Sequence, residues 1–236
     1  KMIKALVLCG DGINCEMETA KAFRGAGIHC DIKQINDFIG NEKSLHEYHA
    51  LALPGGFSFG DDLGSGKILS LKMKEIFKEE LKKFINDKKP VIGICNGFQV
   101  LTTLGIFNTD NYAVALEHNE CGHFINYWEY VNVKQTNCVW TKGLKRLRLP
   151  IRHGEGRFVF SKAHKNSAKE QYESLSSDKN IVMSYENNPN GSAGSIASIC
   201  DDSGLVFGLM PHPEAATHLW QYPGHSIDEG ESLGQE

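Results

Sequence analysis

The sequence predicts an α/β fold: a mostly parallel central sheet with helices on both faces and an antiparallel excursion. In the first half, short apolar runs alternate with helix-forming segments, which is typical of strands that crossover helices bury on both faces. From about residue 112 to residue 150, strand-like segments follow one another without a helix between them. A length of 236 residues, 41% of them hydrophobic, is enough for one core, so we predict a single domain over residues 1–236.

The first elements follow from hydrophobic periodicity and glycine positions. Ile3–Cys9 is a nearly continuous apolar run, as expected for a strand with both faces buried. Glu16–Arg24 contains helix formers and stops at Gly25. Cys30–Ile35 alternates polar and apolar residues and is predicted as a strand nearer the sheet edge, whereas Ala50–Leu53 is predicted as a buried strand.

The later elements follow from the same patterns. Leu71–Ile85 is predicted as one amphipathic helix, because its apolar residues fall on one face and its lysines and glutamates on the other. Pro90–Cys95 is predicted as a strand that runs into a helix ending near Leu104. The basic stretch Lys142–Arg148 is predicted as exposed surface, and the polar, acidic tail over 221–236 as poorly ordered or as a contact for a partner. The predicted strands of the second half are Tyr127–Val133, Cys138–Trp140, Phe158–Phe160, Ile181–Tyr185, Ser195–Cys200 and Leu205–Met210.

Composition argues against several classes of protein. Twenty-five Lys and Arg against 29 Asp and Glu give a net charge of −4, which disfavours a nucleic-acid binder. The chain has no apolar run near the roughly 18 residues of a membrane span and no signal-peptide profile, so we expect a cytoplasmic protein. The seven cysteines form no CxxC pair and the ten histidines are spread out, so neither a disulfide framework nor a metal site is predicted.

Two glycine-rich segments resemble phosphate-binding motifs but lack required residues. In the segment 10–15, Cys15 stands where the third glycine of GxGxxG would allow close approach of a dinucleotide. In the segment 60–67 the glycine spacing differs from that of a P-loop, and Ile68 stands where a magnesium-binding Ser or Thr is needed. We therefore predict no cofactor bound to this chain.

The most informative segment is Gly93-Ile-Cys95-Asn96-Gly97. A buried strand runs into Cys95, a helix follows at once, and the flanking glycines allow the strained turn that the GxSxG elbow uses, with sulfur in place of oxygen. Such a turn exposes the side chain above the sheet edge and directs the next backbone N–H at an oxyanion formed there. The positive potential at the helix N-terminus favours a thiolate. The alternative for this motif alone is a small buried cysteine at a strand end.

A thiolate nucleophile needs a base, and the base needs an orienting group. The predicted strand Leu205–Met210 ends just before His212, which in a parallel sheet emerges at the same carboxyl edge as Cys95. Glu214 follows two residues later and is placed to accept the other imidazole N–H. Pro54-Gly55-Gly56 follows another buried strand; it is either a plain turn or a source of oxyanion N–H groups.

With these residues, the sequence resembles the class I, or triad, glutamine amidotransferases, which implies their flavodoxin-like fold. Within that family the resemblance is greatest to the glutaminase subunits of phosphoribosylformylglycinamidine synthases, and it extends over almost the whole chain. The combination of GICNGFQ with HGEG and MPHPE is specific, whereas PGG or HPE alone is common to many amidotransferases. The supporting segments are Gly12–Cys15, Pro54–Asp61, Gly93–Gln99, His153–Gly156, Asn188–Ser192 and Leu209–Glu214.

The resemblance implies a role for each matching residue. Cys95 would be the nucleophile, His212 the general base and acid, and Glu214 the orienting carboxylate. The remaining matches would supply oxyanion N–H groups or hold the substrate glutamine: Gly55, Gly56, Asn96, Gln99, His153, Gly154 and Glu155. The implied reaction is hydrolysis of glutamine to glutamate through a γ-glutamyl thioester on Cys95.

The resemblance also implies a division of labour with a partner. Ammonia would pass to a synthetase subunit that uses ATP and magnesium to convert formylglycinamide ribonucleotide to the amidine in de novo purine biosynthesis. A small third subunit is a further expected partner. The chain contains no ATP-binding motif, in agreement with this division, and it resembles the stand-alone subunit more than the domain fused to a long synthase.

Some residues depart from the family pattern, and other functions compete. Ala215 stands where an arginine is usual, and Cys121 and His123 replace the more usual serine and arginine. Ala215 would affect the partner contact or the rigidity of its loop and not the triad. If the usual arginine serves the interface or substrate entry, Cys121 and His123 would alter glutaminase control. The alternatives are an amidotransferase serving another synthetase, a cysteine hydrolase or peptidase on a related sheet, and a non-catalytic interaction module.

Overall fold

The computed structural model of the chain describes residues 2–77 and 79–224. Within these residues, nine strands form one sheet and two more form a small antiparallel pair. The strands are β1 (Lys4–Cys9), β2 (His29–Gln34), β3 (Ala50–Leu53), β4 (Val91–Ile94), β5 (Val114–His118), β6 (Ile125–Val133), β7 (Arg146–His153), β8 (Glu155–Phe160), β9 (Ile181–Tyr185), β10 (Ile196–Cys200) and β11 (Val206–Leu209). The helices are α1 (Glu16–Gly25), α2 (Lys67–Ile76), α3 (Glu80–Asn86), α4 (Asn96–Thr103) and α5 (Ala168–Ser177).

The large sheet has a parallel part and an antiparallel part. Its strand order is β2-β1-β3-β4-β11-β10-β9-β6-β7, and the first five of these strands run parallel to one another. The strands from β10 to β7 pair antiparallel, which confirms the predicted excursion. The small pair consists of β5 and β8.

The parallel part explains why its strands are nearly continuous apolar runs. Every residue of β3, β4 and β11 is buried, as are five of the six in β1, so helices must cover the sheet. Helix α1 packs on β1 and β2, and α4 packs on β3, β4 and β11. Because β3, β4 and β11 are parallel neighbours, their carboxyl ends meet at one edge. The segments that begin with Pro54, Cys95 and Met210 therefore start side by side.

Most predicted strands are confirmed to within one or two residues, but the prediction of one helix over Leu71–Ile85 was wrong. The structure has two helices there, α2 and α3. Phe77 lies in the turn between them, and its carbonyl oxygen accepts a hydrogen bond from the Glu80 N–H at 2.6 Å. Phe77 and Leu81 are both buried on the face that the pattern assigned to the core. Because Phe77 and Leu81 keep the apolar spacing of one continuous helix, hydrophobic periodicity does not reveal the break.

The predicted strand Cys138–Trp140 was also wrong. Val139–Thr141 is a short 3-10 turn instead, fixed by a hydrogen bond of 2.9 Å from the Trp140 indole N–H to the Leu205 carbonyl oxygen. Cys138 is buried because this turn packs on the sheet, so its apolar character reflects turn packing and not a strand.

Two elements that we did not predict lie in polar sequence. Strand β7 begins inside the basic stretch, where Arg146 stacks over the Tyr130 ring at 3.7 Å and pairs with Glu186. Helix α5 begins with a capping box in which Ser167 and Glu170 bond each other's backbone N–H groups. Of the predicted tail, residues 221–224 are described and begin at the end of a 3-10 turn, Leu219–Gln221; residues 225–236 lie outside the described residues.

In the described ranges, no helix is both long and apolar enough to cross a membrane. The division of the chain into domains stays a prediction.

Candidate active site

Cys95 occupies the sharp turn between β4 and α4 that the glycine spacing predicts. Its backbone has φ 51° and ψ −104°, a left-handed conformation that a non-glycine residue adopts only where surrounding structure imposes it. The flanking glycines permit this turn because α4 lies directly on the sheet backbone. A Cβ on Gly93 would lie 2.6 Å from the Gly97 carbonyl oxygen, and one on Gly97 would overlap the Leu53 carbonyl.

The Cys95 side chain is buried at the carboxyl edge of the sheet, where its own backbone N–H donates to the Leu209 carbonyl oxygen at 2.7 Å. The Sγ thiol donates to the Arg152 carbonyl oxygen at 3.6 Å. The end of β7 therefore forms one wall beside the thiol. Asn96 is the first residue of α4, so its backbone N–H has no partner within the helix.

His212 and Glu214 form a buried pair directly after β11. The two residues are 3% and 4% exposed, and Nδ1 of His212 lies 2.6 Å from Oε1 of Glu214. Because an ionised carboxylate can only accept hydrogen bonds, Nδ1 of His212 carries the proton that is donated to Glu214. Nε2 is therefore the ring nitrogen that can exchange a proton with a reacting group. The His212 backbone N–H donates to the Pro150 carbonyl oxygen at 2.8 Å, which anchors the loop to β7.

The charges around His212 favour its protonated form. Burial alone would lower the pKa of the imidazole, but the negative charge of Cys95, the nearby Cys15 and Cys95 side chains and the hydrogen bond with Glu214 raise the pKa well above its ordinary value. Among the described residues, Nε2 of His212 has no hydrogen-bond partner of ordinary geometry, since the Cys95 thiol points to Arg152. The arrangement thus favours an imidazolium, with Nε2 available to a reacting group.

The loop after β3 closes the other side of the site. The Gly55 backbone packs so closely against the His212 ring that a Cβ on Gly55 would lie 2.6 Å from Cε1 of that ring. Gly56 has φ 142° and pairs with Ile13 in an isolated antiparallel bridge, where a Cβ would lie 2.7 Å from the Asn14 N. Only glycine fits at these two positions, which explains the PGG sequence.

Asn96 and Gln99 join α4 to the turn between β7 and β8. The Asn96 amide donates to Oε1 of Gln99 at 2.9 Å and to Oδ1 of Asp61 at 3.3 Å. The Gln99 amide in turn donates to the Glu155 carbonyl oxygen. The pKa of Asp61 is raised. Burial and the charge of Glu155 raise this pKa by more than the hydrogen bonds to Asp61 lower it. These contacts hold Gln99 and Glu155 on the same side of the site as the start of α4.

His153 is a buried neutral imidazole with a defined tautomer. The amide nitrogen of Asn119 donates to the carbonyl oxygens of His123 and His153, so Oδ1 of Asn119 is left to accept from Nδ1 of His153 at 2.9 Å. Nε2 of His153 is then a lone-pair acceptor, buried and unpartnered within the described part of the chain. Burial, followed by the positive charge of His212, lowers the pKa of His153 to about 4.

The structure brings all ten sequence-predicted site residues to the carboxyl edge or to the turn beside it. Gly154 is the most peripheral of these residues, and its carbonyl oxygen accepts from the Asn119 N–H at 2.8 Å. The departures from the family pattern lie outside the Cys95–His212–Glu214 cluster. Ala215 ends a 3-10 turn, and Cys121 and His123 bond each other on the surface next to Asn119.

Sequence reasoning missed three residues at the site: Cys15, Asp61 and Asn119. Cys15 and Asp61 lie in segments that match the family, but no motif assigned a role to any of the three residues. Cys15 and Asp61 lie in glycine-rich loops whose individual side chains we considered only for phosphate binding. Asn119 acts through His153, 34 positions away, so only the fold shows the pairing.

The chain matches one protein family over nearly its whole length. A family model described as a CobB/CobQ-like glutamine amidotransferase domain matches residues 2–235. The phosphoribosylformylglycinamidine synthase subunit PurQ of Methanococcus maripaludis is 42% identical over 95% of this chain and 86% of the relative. The corresponding PurQ subunit of Archaeoglobus fulgidus is 35% identical over 98% of this chain and 92% of the relative.

Solved structures give the same result. The structure of PurLQS from Thermotoga maritima matches with a TM-score of 0.75 at 30% identity, covering 94% of this chain and 92% of that chain. A glutamine amidotransferase from the same organism matches with a TM-score of 0.56 at 17% identity, covering 91% of this chain and 77% of that chain, which shows a common fold alone. The predicted flavodoxin-like amidotransferase fold is thereby confirmed. The chain belongs to the CobB/CobQ-like glutamine amidotransferase family and, within it, to the PurQ subunits of phosphoribosylformylglycinamidine synthase.

Proposed function

We propose that this chain hydrolyses glutamine at Cys95 and supplies the ammonia to the synthetase subunit of phosphoribosylformylglycinamidine synthase. The observation that supports this most strongly is the position of Cys95 beside the buried His212–Glu214 pair, in a chain of the PurQ family. A strained cysteine at a helix N-terminus, next to a protonated histidine, is the arrangement of an activated thiolate.

The reaction begins when the Cys95 thiolate attacks the side-chain amide carbon of glutamine. The carbonyl oxygen becomes an oxyanion, and the backbone N–H groups of Gly56 and Asn96 are its donors. When the C–N bond breaks, Nε2 of His212 donates its proton to the leaving nitrogen, and ammonia departs. A γ-glutamyl thioester then remains on Cys95.

Water completes the cycle. Nε2 of His212, now neutral, accepts a proton from the attacking water, and the resulting hydroxide adds to the thioester carbon. Collapse of this second tetrahedral intermediate breaks the C–S bond, releases glutamate and restores the thiolate and the imidazolium. Glu214 holds Nδ1–H throughout, so that Nε2 always faces the reacting atoms.

The remaining predicted site residues bind the substrate in this proposal. The Gln99 side chain and the 153–155 turn lie together at the site. The Glu155 carboxylate, which accepts from the Ser65 N–H at 3.3 Å and lies 3.6 Å from His118, would also bind the α-ammonium group of glutamine. His153 presents an unprotonated Nε2 near His212, so it offers a hydrogen-bond acceptor without adding a second positive charge. Gly154 lies in the same turn next to Asn119, and it leaves this side of the proposed substrate site free of a side chain.

The partner completes the biosynthetic step. We propose that the synthetase subunit binds ATP and magnesium and uses ammonia to convert formylglycinamide ribonucleotide to the amidine in de novo purine biosynthesis, in the cytoplasm. The naming of the Thermotoga maritima assembly as PurLQS supports a further partner, a small third subunit. No cofactor on this chain is required by the proposed chemistry.

Replacing the nucleophile tests the proposal. In the reconstituted complex, Cys95→Ala should abolish glutamine-dependent amidine synthesis and leave ammonia-dependent synthesis at the wild-type rate. The exposed Cys121 gives a matched control, and Cys121→Ala should retain both activities. Glutamine-dependent synthesis by the Cys95→Ala complex would refute the proposal, and so would glutamate release by wild-type enzyme that never supports amidine formation.

A further inference from the structure

A second cysteine lies beside the proposed base and its orienting carboxylate. Sγ of Cys15, a ring nitrogen of His212 and a carboxylate oxygen of Glu214 all lie within 4.8 Å of one another. Thiolate, imidazole and carboxylate are the three side-chain ligand types that proteins use for Zn²⁺. We propose that Cys15, His212 and Glu214 form a Zn²⁺ site, and that zinc bound there inhibits the glutaminase.

One carboxylate oxygen of Glu214 is left without a hydrogen-bond partner among the described residues and could bind a cation. Its Oε1 accepts from His212, but its Oε2 is buried and has no hydrogen-bond partner anywhere in the described ranges. A buried carboxylate oxygen without a partner is costly, because neither water nor a donor compensates its lost hydration. A divalent cation next to Oε2 removes that cost.

The three ligands are held by different parts of the fold. Cys15 is fixed by its N–H, which donates to the Gly55 carbonyl oxygen at 3.2 Å, and by its carbonyl oxygen, which accepts from the Thr19 hydroxyl at 2.7 Å. Its Sγ lies 3.4 Å from where a Gly55 Cβ would stand, on the side where the His212 ring touches the same glycine. The absence of a side chain at Gly55 therefore brings the thiol and the imidazole together.

The spacing suits zinc after small rotations of side chains. Zinc bonds of about 2.3 Å to sulfur and about 2.0–2.2 Å to nitrogen or oxygen place tetrahedral ligand atoms roughly 3.3–3.6 Å apart. Cys15 is partly exposed whereas His212 and Glu214 are buried, so an ion reaches the two buried ligands from the side of Cys15. The Cys15 thiol and the His212 imidazolium each lose a proton to solvent on binding, and the fourth coordination position remains for solvent.

Zinc at this site would remove the base from the reaction. Two of its three ligands are the residues that our proposed function assigns to proton transfer, so the predicted inhibition rests on that function. Binding itself does not, because it depends only on the donor set. Cys15 neither forms a bond nor transfers a proton in the proposed reaction, so substituting it changes the metal site without removing a reacting group.

Inhibition by buffered Zn²⁺ tests the functional part. In the complex with its synthetase, glutamate release should fall as free zinc rises, and Cys15→Ser should raise the half-inhibitory zinc concentration at least about tenfold. Each variant is compared with its own metal-free rate, and Cys121→Ser serves as a control with an unchanged response. Equal zinc sensitivity of wild type and Cys15→Ser would overturn the proposal.

Direct binding tests the site independently of activity. Co²⁺ added to the full chain should give a thiolate-to-cobalt charge-transfer band that Cys15→Ser and Cys15→Ala abolish and that Cys95→Ser retains. Thermal unfolding of each variant confirms that it is folded. A band that Cys95→Ser removes and Cys15→Ser keeps would place the metal on the nucleophile and overturn the proposal, as would no band in the wild type. A chain without glutaminase activity that still binds Co²⁺ through Cys15 would refute only the proposed function.

Discussion

The buried carboxylate of Glu214 provides the sharpest quantitative test of the site, because Glu214→Gln removes one charge and keeps the side-chain shape. Oε1 lies 2.6 Å from Nδ1 of His212, which places the centres of the two charges roughly 4 Å apart. At an effective dielectric constant of about 20, that separation corresponds to an attraction of about 4 kcal/mol. Since about 1.4 kcal/mol is tenfold in rate, we expect kcat/KM for glutamine hydrolysis to fall about 10³-fold.

The substitution also changes the pH dependence. Glu214 is one of the groups that raise the pKa of His212, and the leaving ammonia needs the His212 proton. Without the carboxylate the pKa of His212 falls, so His212 loses its proton at a lower pH. The alkaline limb of the profile of kcat/KM against pH should therefore move to lower pH.

The assay is glutamate release by the reconstituted complex over a range of glutamine concentrations and pH. Glu186→Gln is a matched control, because it removes a carboxylate that pairs with Arg146 at 2.7 Å on the surface, and it should leave kcat/KM unchanged. A folded Glu214→Gln variant that loses less than tenfold, with its alkaline limb in place, would contradict the role assigned to the pair.

Three further predictions concern the glycines and the second histidine. Gly55→Ala should lower kcat about 10²-fold with a normal unfolding midpoint, since its Cβ displaces the His212 ring; an unchanged kcat would refute the close approach. Gly97→Ala should lower the free energy of unfolding by about 3 kcal/mol or more in urea titrations, because the Cβ overlaps the Leu53 backbone, and a wild-type midpoint would contradict this packing. His153 has a folded-state pKa of about 4, below its unfolded value, so the unfolded chain takes up more protons as pH falls from 6.5 and stability is lost. Between pH 7 and pH 4.5 the wild type should lose about 2 kcal/mol more than His153→Asn, and parallel losses would refute a neutral buried imidazole.

The sequence was sufficient to predict that Cys95, His212 and Glu214 lie together, for a physical reason. Cys95 and His212 each follow an apolar run, and strands in a parallel sheet end at a common edge, so separation along the chain did not hide their proximity. The glycines beside Cys95 and the spacing of Glu214 from His212 are local signals. Each of these positions could be inferred from the residues of a single segment together with the direction of the strand that precedes it.

Other features depend on contacts between distant segments and leave no local signal. The tautomer of His153 follows from two hydrogen bonds donated by Asn119, and neither residue type indicates the pairing in advance. The break between α2 and α3 lies within an uninterrupted apolar pattern. Strand β7 was missed because Arg146 is bound on the surface by Tyr130 and Glu186, partners that only the sheet brings near.

The most direct test of the central claim is mass spectrometry after incubation of the chain, alone and with its synthetase, with the glutamine-like diazo-ketone 6-diazo-5-oxonorleucine. The diazo carbon of the reagent takes up a proton, which His212 can supply, and the Cys95 thiolate then displaces N₂ to form a single carbon–sulfur adduct; excess glutamine should prevent it. The exposed Cys121 should remain unlabelled, although it is more accessible. Labelling spread over several cysteines, or no Cys95 adduct even in the complex, would contradict the assignment of Cys95 as the glutaminase nucleophile.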